Sequence, residues 1–313
     1  MPVKKETHKT VLTGDTKFLG VKLTDWPLPE VDSDSKRSQS SRKRSNKSQT
    51  TPTEFKSAKQ LYDRLKRSKF FDRDRLLWYH EVDDKGILDD LFLYAHDQLA
   101  GVFIEYFIGN KNFAEDMFSR IKETNFWDAK TMMWNAILSS SGALLDRSKL
   151  IHDQLIGIFT EYFVGDKSLA KDMYHYLVKH RISELRDYPL LDCFVSYFVY
   201  DINFSHSKEN YLQIRNKFWD SKRLIWYPTS NDQNNIFRTH DQLLGVLLEF
   251  ILSDKVLAKS VYAHLKTYLW NKKKHLWFMG SDHSLNPVRR YFIFTQFLGI
   301  LVEAVVNEGL VLK

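Results

Sequence analysis

A histidine followed directly by an aspartate occurs three times in nearly the same string: His96-Asp97-Gln98-Leu99-Ala100-Gly101-Val102, His152-Asp153-Gln154-Leu155-Ile156-Gly157-Ile158 and His240-Asp241-Gln242-Leu243-Leu244-Gly245-Val246. Imidazole gains and loses a proton near neutral pH, so His96, His152 and His240 are candidates for general acid and base. Asp97, Asp153 and Asp241 could assist them in that chemistry. They could also cap helices, because an Asp at a helix start accepts backbone N–H bonds and favours the dipole. Metal binding by His and Asp together is a further reading of such pairs. Motif matches without structural context seldom mark a metal, and the expectation is no metal and no cofactor. Among the three histidines, His240 is the preferred functional residue. Its approach, Tyr227–Thr239, is polar and carries Asn231, Asp232, Gln233, Asn234, Asn235 and Arg238, groups suited to a polyhydroxylated ligand.

These pairs need elements to hold them, and the repeats supply those elements. A fourth copy, Thr295-Gln296-Phe297-Leu298-Gly299-Ile300, keeps the Gln and Gly, and a degenerate fifth begins at Asp192-Cys193-Phe194-Val195-Ser196. Successive offsets from Asp97 are 56, 39, 49 and 54 residues, too long for ankyrin or tetratricopeptide units. Each copy runs on for several turns without Pro and predicts an inner helix. Short turns follow: Gly109-Asn110-Lys111, Gly165-Asp166-Lys167 and Ser253-Asp254-Lys255. Gly109 and Gly165 are expected to be left-handed helix ends. The segments Ala114–Lys122, Ala170–Lys179 and Ala258–Lys266 then predict outer helices, so each unit is an antiparallel helical hairpin. The inner helices also carry Asp, Gly and Glu at i, i+4 and i+8, ending in Glu105, Glu161 and Glu249, with Glu303 in the fourth copy. These glutamates either line the lumen or pair with basic residues.

Between outer and inner helices lies a second repeat. It reads Phe71-Asp72…Trp78, Trp127-Asp128…Trp134, Trp219-Asp220…Trp226 and Trp270-Asn271…Trp277, always with Trp six residues after Asp or Asn. Aromatic flanks around a polar middle predict short β-hairpins turning at the Asp or Asn. Trp78, Trp134, Trp226 and Trp277 either pin these hairpins to the helices or offer stacking faces to sugar rings. Glu54–Lys69 is an outer-type helix with nothing before it, and Arg290–Asn307 an inner-type helix with nothing after it. Pairing them closes a ring of about five helical hairpins, and closure buries the end faces that an open array must cap. The predicted fold is therefore an all-α (α/α) toroid over residues 54–313, with aromatic β-hairpins and the His-Asp pairs on one rim.

Composition narrows the remaining classes. The chain has 313 residues, a net charge of +7, 14% aromatics and one cysteine, Cys193. A lone cysteine forms no internal disulfide or cysteine-built zinc site. The longest apolar stretch, near Tyr291–Val306, is interrupted by Gln296 and Glu303 and is short for a membrane span. No signal peptide is evident, and the expectation is a soluble cytoplasmic protein. Residues 1–53 hold eleven Lys or Arg against six acids, with Ser33–Thr53 almost wholly polar. That segment reads as a flexible basic tail, solvated or poised for an acidic partner or an anionic surface. The folded part shows no one-sided basic stripe, which argues against nucleic-acid binding there.

A ring of helical hairpins with aromatic β-hairpins on one rim resembles the (α/α)-toroid carbohydrate enzymes: six-hairpin glycosidases, N-acylglucosamine 2-epimerases and toroidal polysaccharide lyases. Phe71-Asp72-Arg73-Asp74-Arg75-Leu76-Leu77-Trp78-Tyr79, followed by Val82-Asp83-Asp84-Lys85-Gly86, is similar to their Asp-x-x-x-Gly-aromatic hairpins. The match is architectural. The epimerase pattern has a Glu three residues after its inner-helix His, where this chain has Leu99, Leu155 and Leu243. The resemblance implies a sugar isomerase or epimerase, a glycoside hydrolase or a lyase, with a carbohydrate-like ligand in a rim cleft. The other reading is a non-catalytic scaffold whose tail recruits a partner. An enzyme should concentrate its chemistry where the repeats differ: His80, Arg238, His283, Arg289 and Arg290.

Overall fold

In a computed structural model the described residues are 57–312, apart from 84, 86, 88–91, 201–203 and 228–235. The proposed tail, and most of the polar approach to His240, lie outside them. Five inner helices form a closed ring: α2 (Ala95–Ile108), α4 (Ile151–Val164), α7 (Pro189–Val199), α9 (Thr239–Leu252) and α11 (Ile293–Val302). Each packs on the next, and α11 packs back on α2. The outer helices are α1 (Ala58–Lys66), α3 (Lys111–Glu123), α5 (Lys167–His180), α8 (Phe204–Phe218) and α10 (Lys255–Tyr268), with the one-turn α6 (Ile182–Leu185) after α5. The predicted all-α toroid is thus the observed fold. The inner helices are apolar on nearly every side because both neighbours and an outer helix cover them. The outer helices bury only a stripe, such as Ala170, Met173, Tyr174 and Leu177 of α5.

The ring closes where the sequence placed its unpaired helices. α1 packs on α11, and the Ala58 N–H donates to Glu308 Oε1 at 2.5 Å. On the rim, Tyr291 and Phe292 pair antiparallel with Val82 and Glu81, and the Ile293 N–H donates to the His80 carbonyl at 2.9 Å.

Each Trp hairpin has the same build. In the first, Phe71 pairs with Trp78, and Asp72 Oδ1 accepts from the Asp74 and Arg75 N–H groups. The residue two before each Trp takes positive φ: Leu76, Met132, Leu224 and His275 at 52–57°. The repeated Gln then clamps the hairpin to its helix. Gln98 Oε1 accepts from the Trp78 N–H at 2.9 Å while its Nε2 donates to the Trp78 carbonyl at 2.7 Å. Gln154 on Trp134, Gln242 on Trp226 and Gln296 on Trp277 repeat the pair of bonds at 2.8–2.9 Å. The repeated Gly makes room for the indole: a Cβ at Gly101, Gly157, Gly245 or Gly299 would meet the Trp Nε1 at 2.0–2.3 Å.

Two expectations about the inner helices are corrected. Gly109 and Gly165 end them at φ −99° and −109°, not in the left-handed region. A Cβ there would meet the Glu105 or Glu161 carboxylate, at 2.2 and 2.4 Å, and the third copy accommodates one at Ser253. Nor do the aspartates cap. The N-cap positions fall on Tyr94, Leu150 and Arg238, without side-chain cap bonds, and the Asp is the third helical residue. The glutamates at the opposite ends pair with the outer helices. Glu105 takes bonds from Tyr62 at 2.5 Å and Lys66 at 2.7 Å, and Lys122 meets Glu161 at 2.6 Å. Glu249 is bound by Tyr211, and Glu303 by Tyr262 and Lys266.

Candidate active site

Repeated local structure brings one position of every inner helix to the axis of the ring. The residue preceding the Asp position in the five copies is His96, His152, Leu191, His240 and Phe294, and all five line a single cavity of about 190 Å³. One turn deeper, Ile156 and Leu244 form part of an apolar floor. His80, Tyr188, Leu190, Arg238, Asp241 and Phe292 complete the wall. Phe294 faces both sides of the site, its ring 5.7 Å from that of His96 and 5.6 Å from that of His240.

Behind this wall, histidines and carboxylates alternate. His80 Nδ1 lies 2.6 Å from Asp97 Oδ2, and His96 Nδ1 lies 2.7 Å from Asp153 Oδ1. An ionised carboxylate only accepts, so both ring nitrogens are donors. His96 Nε2 is 3.5 Å from Asp97 Oδ1, and His152 Nε2 is 3.3 Å from Asp153 Oδ1. The row His80–Asp97–His96–Asp153–His152 therefore runs along one side, with Asp97 and Asp153 fully buried. Two sets within it, His80/His96/Asp97 and His96/His152/Asp153, have potential ligand atoms within 4.8 Å of one another. Their shortest contacts are His–carboxylate hydrogen bonds, so the arrangement reads as a hydrogen-bonded row.

The row divides the histidines by charge. Burial opposes a charge on His96, but Asp97 and Asp153 outweigh it and raise the imidazole to about 9. His152 goes the other way: burial, with His96 and His240 nearby, lowers it to about 4 despite Asp153. Burial and the neighbouring Arg238, His96 and His80 lower His240 to about 3. At neutral pH one cavity thus holds a cationic acid, His96, and two neutral bases, His152 and His240.

Of the residues singled out from sequence, His80, His96, His152, His240, Asp241 and Arg238 meet at this cavity, and Asp97 and Asp153 stand directly behind it. The others do not meet it. Trp78, Trp134, Trp226 and Trp277 are at most 2% exposed, each packed on its glycine and clamped by its Gln, so they pin hairpins and present no face to a ligand. His283 is on the surface, edge-on to Phe237 at 5.1 Å, and Arg290 pairs with Glu81. Neither lines the cavity. Sequence reasoning missed Phe294 and Leu191, although aligning the fourth and fifth copies would have set both beside the histidines.

No protein-family model matches the chain, and no curated protein sequence does either. Solved structures do match in fold. The chain is similar to D-mannose isomerase, with TM-score 0.57 and 9% identity over 81% of this chain and 97% of that one. It is also similar to a sugar epimerase from a ruminal bacterium, with TM-score 0.52 and 12% identity over 82% of this chain and all of that one. The described ring accordingly shares its (α/α)-toroid fold with these structures and is built here from five hairpins.

Proposed function

We propose that the chain is an acid–base enzyme that moves a proton on a small carbohydrate-like hydroxy-carbonyl compound, as an aldose–ketose isomerase or 2-epimerase does. The convergence of His96, His152 and His240 on one cavity carries this reading. A neutral His240 would take the proton from the carbon beside the carbonyl, and cationic His96 would protonate or hold the carbonyl oxygen as charge builds on it. Protonated His240 would then return the proton to the neighbouring carbon of the enediol, and neutral His96 would take back the proton of the other hydroxyl, which restores both groups. The sequence needs no cofactor. A shared fold with a sugar epimerase and a mannose isomerase supports the substrate class.

Glycoside hydrolysis fits less well. It calls for two carboxyl groups flanking the scissile bond, about 5–9.5 Å apart. Among the described residues only Asp241 faces the cavity as a carboxylate, since Asp97 and Asp153 lie behind the histidines. A passive scaffold gives no reason for four histidines around an axial cavity. No helix among the described residues is long and apolar enough to cross a membrane. A single buried free thiol, Cys193, is in keeping with a cytoplasmic setting.

The test incubates the full chain with D-mannose, D-glucose or D-fructose in D2O and follows deuterium entry beside the carbonyl by NMR. Exchange should be seen with at least one of them. His240→Phe, which copies Phe294 of another repeat, should abolish it with the melting temperature unchanged. Full exchange in that variant, or none in the parent with any neutral aldose or ketose, would overturn the proposal.

A further inference from the structure

His80 belongs to no repeat. It follows the first Trp hairpin, and the equivalent place in the second is Ala136. Its surroundings are nonetheless closely built. The ring lies against Tyr94 at 4.2 Å and Phe292 at 4.7 Å, and its carbonyl is held by the Ile293 N–H across the ring-closing seam. Its Nδ1 is spent on Asp97 Oδ2 at 2.6 Å. The other oxygen, Asp97 Oδ1, is buried with no hydrogen-bond partner and lies 3.5 Å from His96 Nε2. A buried, half-satisfied carboxylate is costly, and here one oxygen is anchored while the other is left to face a neighbouring ring.

We infer that His80 is a positioning residue for His96, acting through Asp97: by anchoring one carboxylate oxygen it keeps the other turned to the His96 ring. This inference rests on the proposed acid role of His96 and adds the residue that maintains it. The groups facing His96 are Asp97 on α2, Asp153 and His152 on α4, His80 and Tyr94 on the rim, Phe294 on α11 and, farther off, His240 on α9. Asp153 binds the other nitrogen of His96 directly, so the loss of His80 weakens one of two supports and leaves the second.

The experiment titrates the histidine rings of the full chain by NMR without substrate, in the parent, His80→Phe and His80→Asn. Phe keeps the aromatic sandwich with Tyr94 and Phe292 but cannot donate to Asp97. Asn donates and never carries charge. In His80→Phe the His96 midpoint should fall by about one pH unit, because a carboxylate released from its anchor no longer holds Oδ1 against the His96 ring. His80→Asn should restore it. An unchanged midpoint in His80→Phe, or equal shifts in both variants, would overturn the inference. A loss of folding in His80→Phe, checked by circular dichroism, leaves the decision to His80→Asn against His80→Ala. The titration uses no substrate, so failure of the sugar reaction would count against the proposed function alone.

Discussion

His96 of α2 and Asp153 of α4 share a hydrogen bond of 2.7 Å across 57 residues of sequence, so the proton of the one is held by the helix of the other. This pairing joins two successive repeats at the axis and has a direct consequence for stability.

His96 is raised to about 9 in the folded ring, above its ordinary value of about 6.5. A raised group stabilises fully below its unfolded value, and that contribution fades as pH climbs through about 9. His152 and His240, lowered to about 4 and about 3, act in reverse. They add no penalty above pH of about 6.5, and below it the unfolded chain binds protons that the folded ring refuses. Melting temperature followed from about pH 4 to about pH 10 should therefore peak near neutrality. Asp153→Asn should flatten the alkaline limb, and His240→Phe should soften the acid one. An unaltered profile in both variants would contradict these assignments.

Gly157→Ala tests the hairpin docking. Alanine normally stabilises a helix by up to about 1 kcal/mol over glycine. Here its methyl would lie 2.1 Å from Trp134 Nε1, so the indole must move out of its groove. The net change should be a loss of about 1–3 kcal/mol, read from urea denaturation. A gain would show that the Trp hairpin is loosely held.

Removing residues 1–53 should leave the ring folded. The compact unit spans Thr51–Lys313, and its first helix is capped by Ser57, whose Oγ accepts from the Gln60 N–H. Far-UV circular dichroism and the melting curve should be those of the full chain. Loss of helical signal would place part of the fold's support in the tail.

Much of this fold was legible because its signals are short-range. Phe71 and Trp78 are hairpin partners, and the spacing of six residues from Asp72 to that Trp survives in four copies. The degenerate unit was harder. In α7, Cys193 and Ser196 replace the clamp Gln and the contact Gly, and Asp192 is held by Tyr174 at 2.6 Å. The site was less legible for the same reason in reverse: its contacts are long-range. His80 to Asp97 and His96 to Asp153 join separate elements, and adjacency of His96 to Asp97 in sequence suggests the wrong partner for Nδ1. The tryptophans left two readings open, because regular spacing is identical for an indole that lines a cleft and one sunk in a groove. Arg290 was assigned to the cleft from its rim position alone, while its partner Glu81 lies 209 residues away in sequence.

The five axial positions have a consequence of their own. Hairpin docking depends on the Gln clamp and the Gly contact, and neither side chain reaches the axis. An axial residue can thus be exchanged without disturbing the parts that make the repeat a repeat, as Phe294 illustrates in a copy that keeps Gln296 and Gly299. The ring behaves as a holder with five sockets, three fitted with imidazole and two with apolar plugs. Reactivity in such a holder is set by which sockets are filled, and new combinations of the same few fittings lie one substitution away.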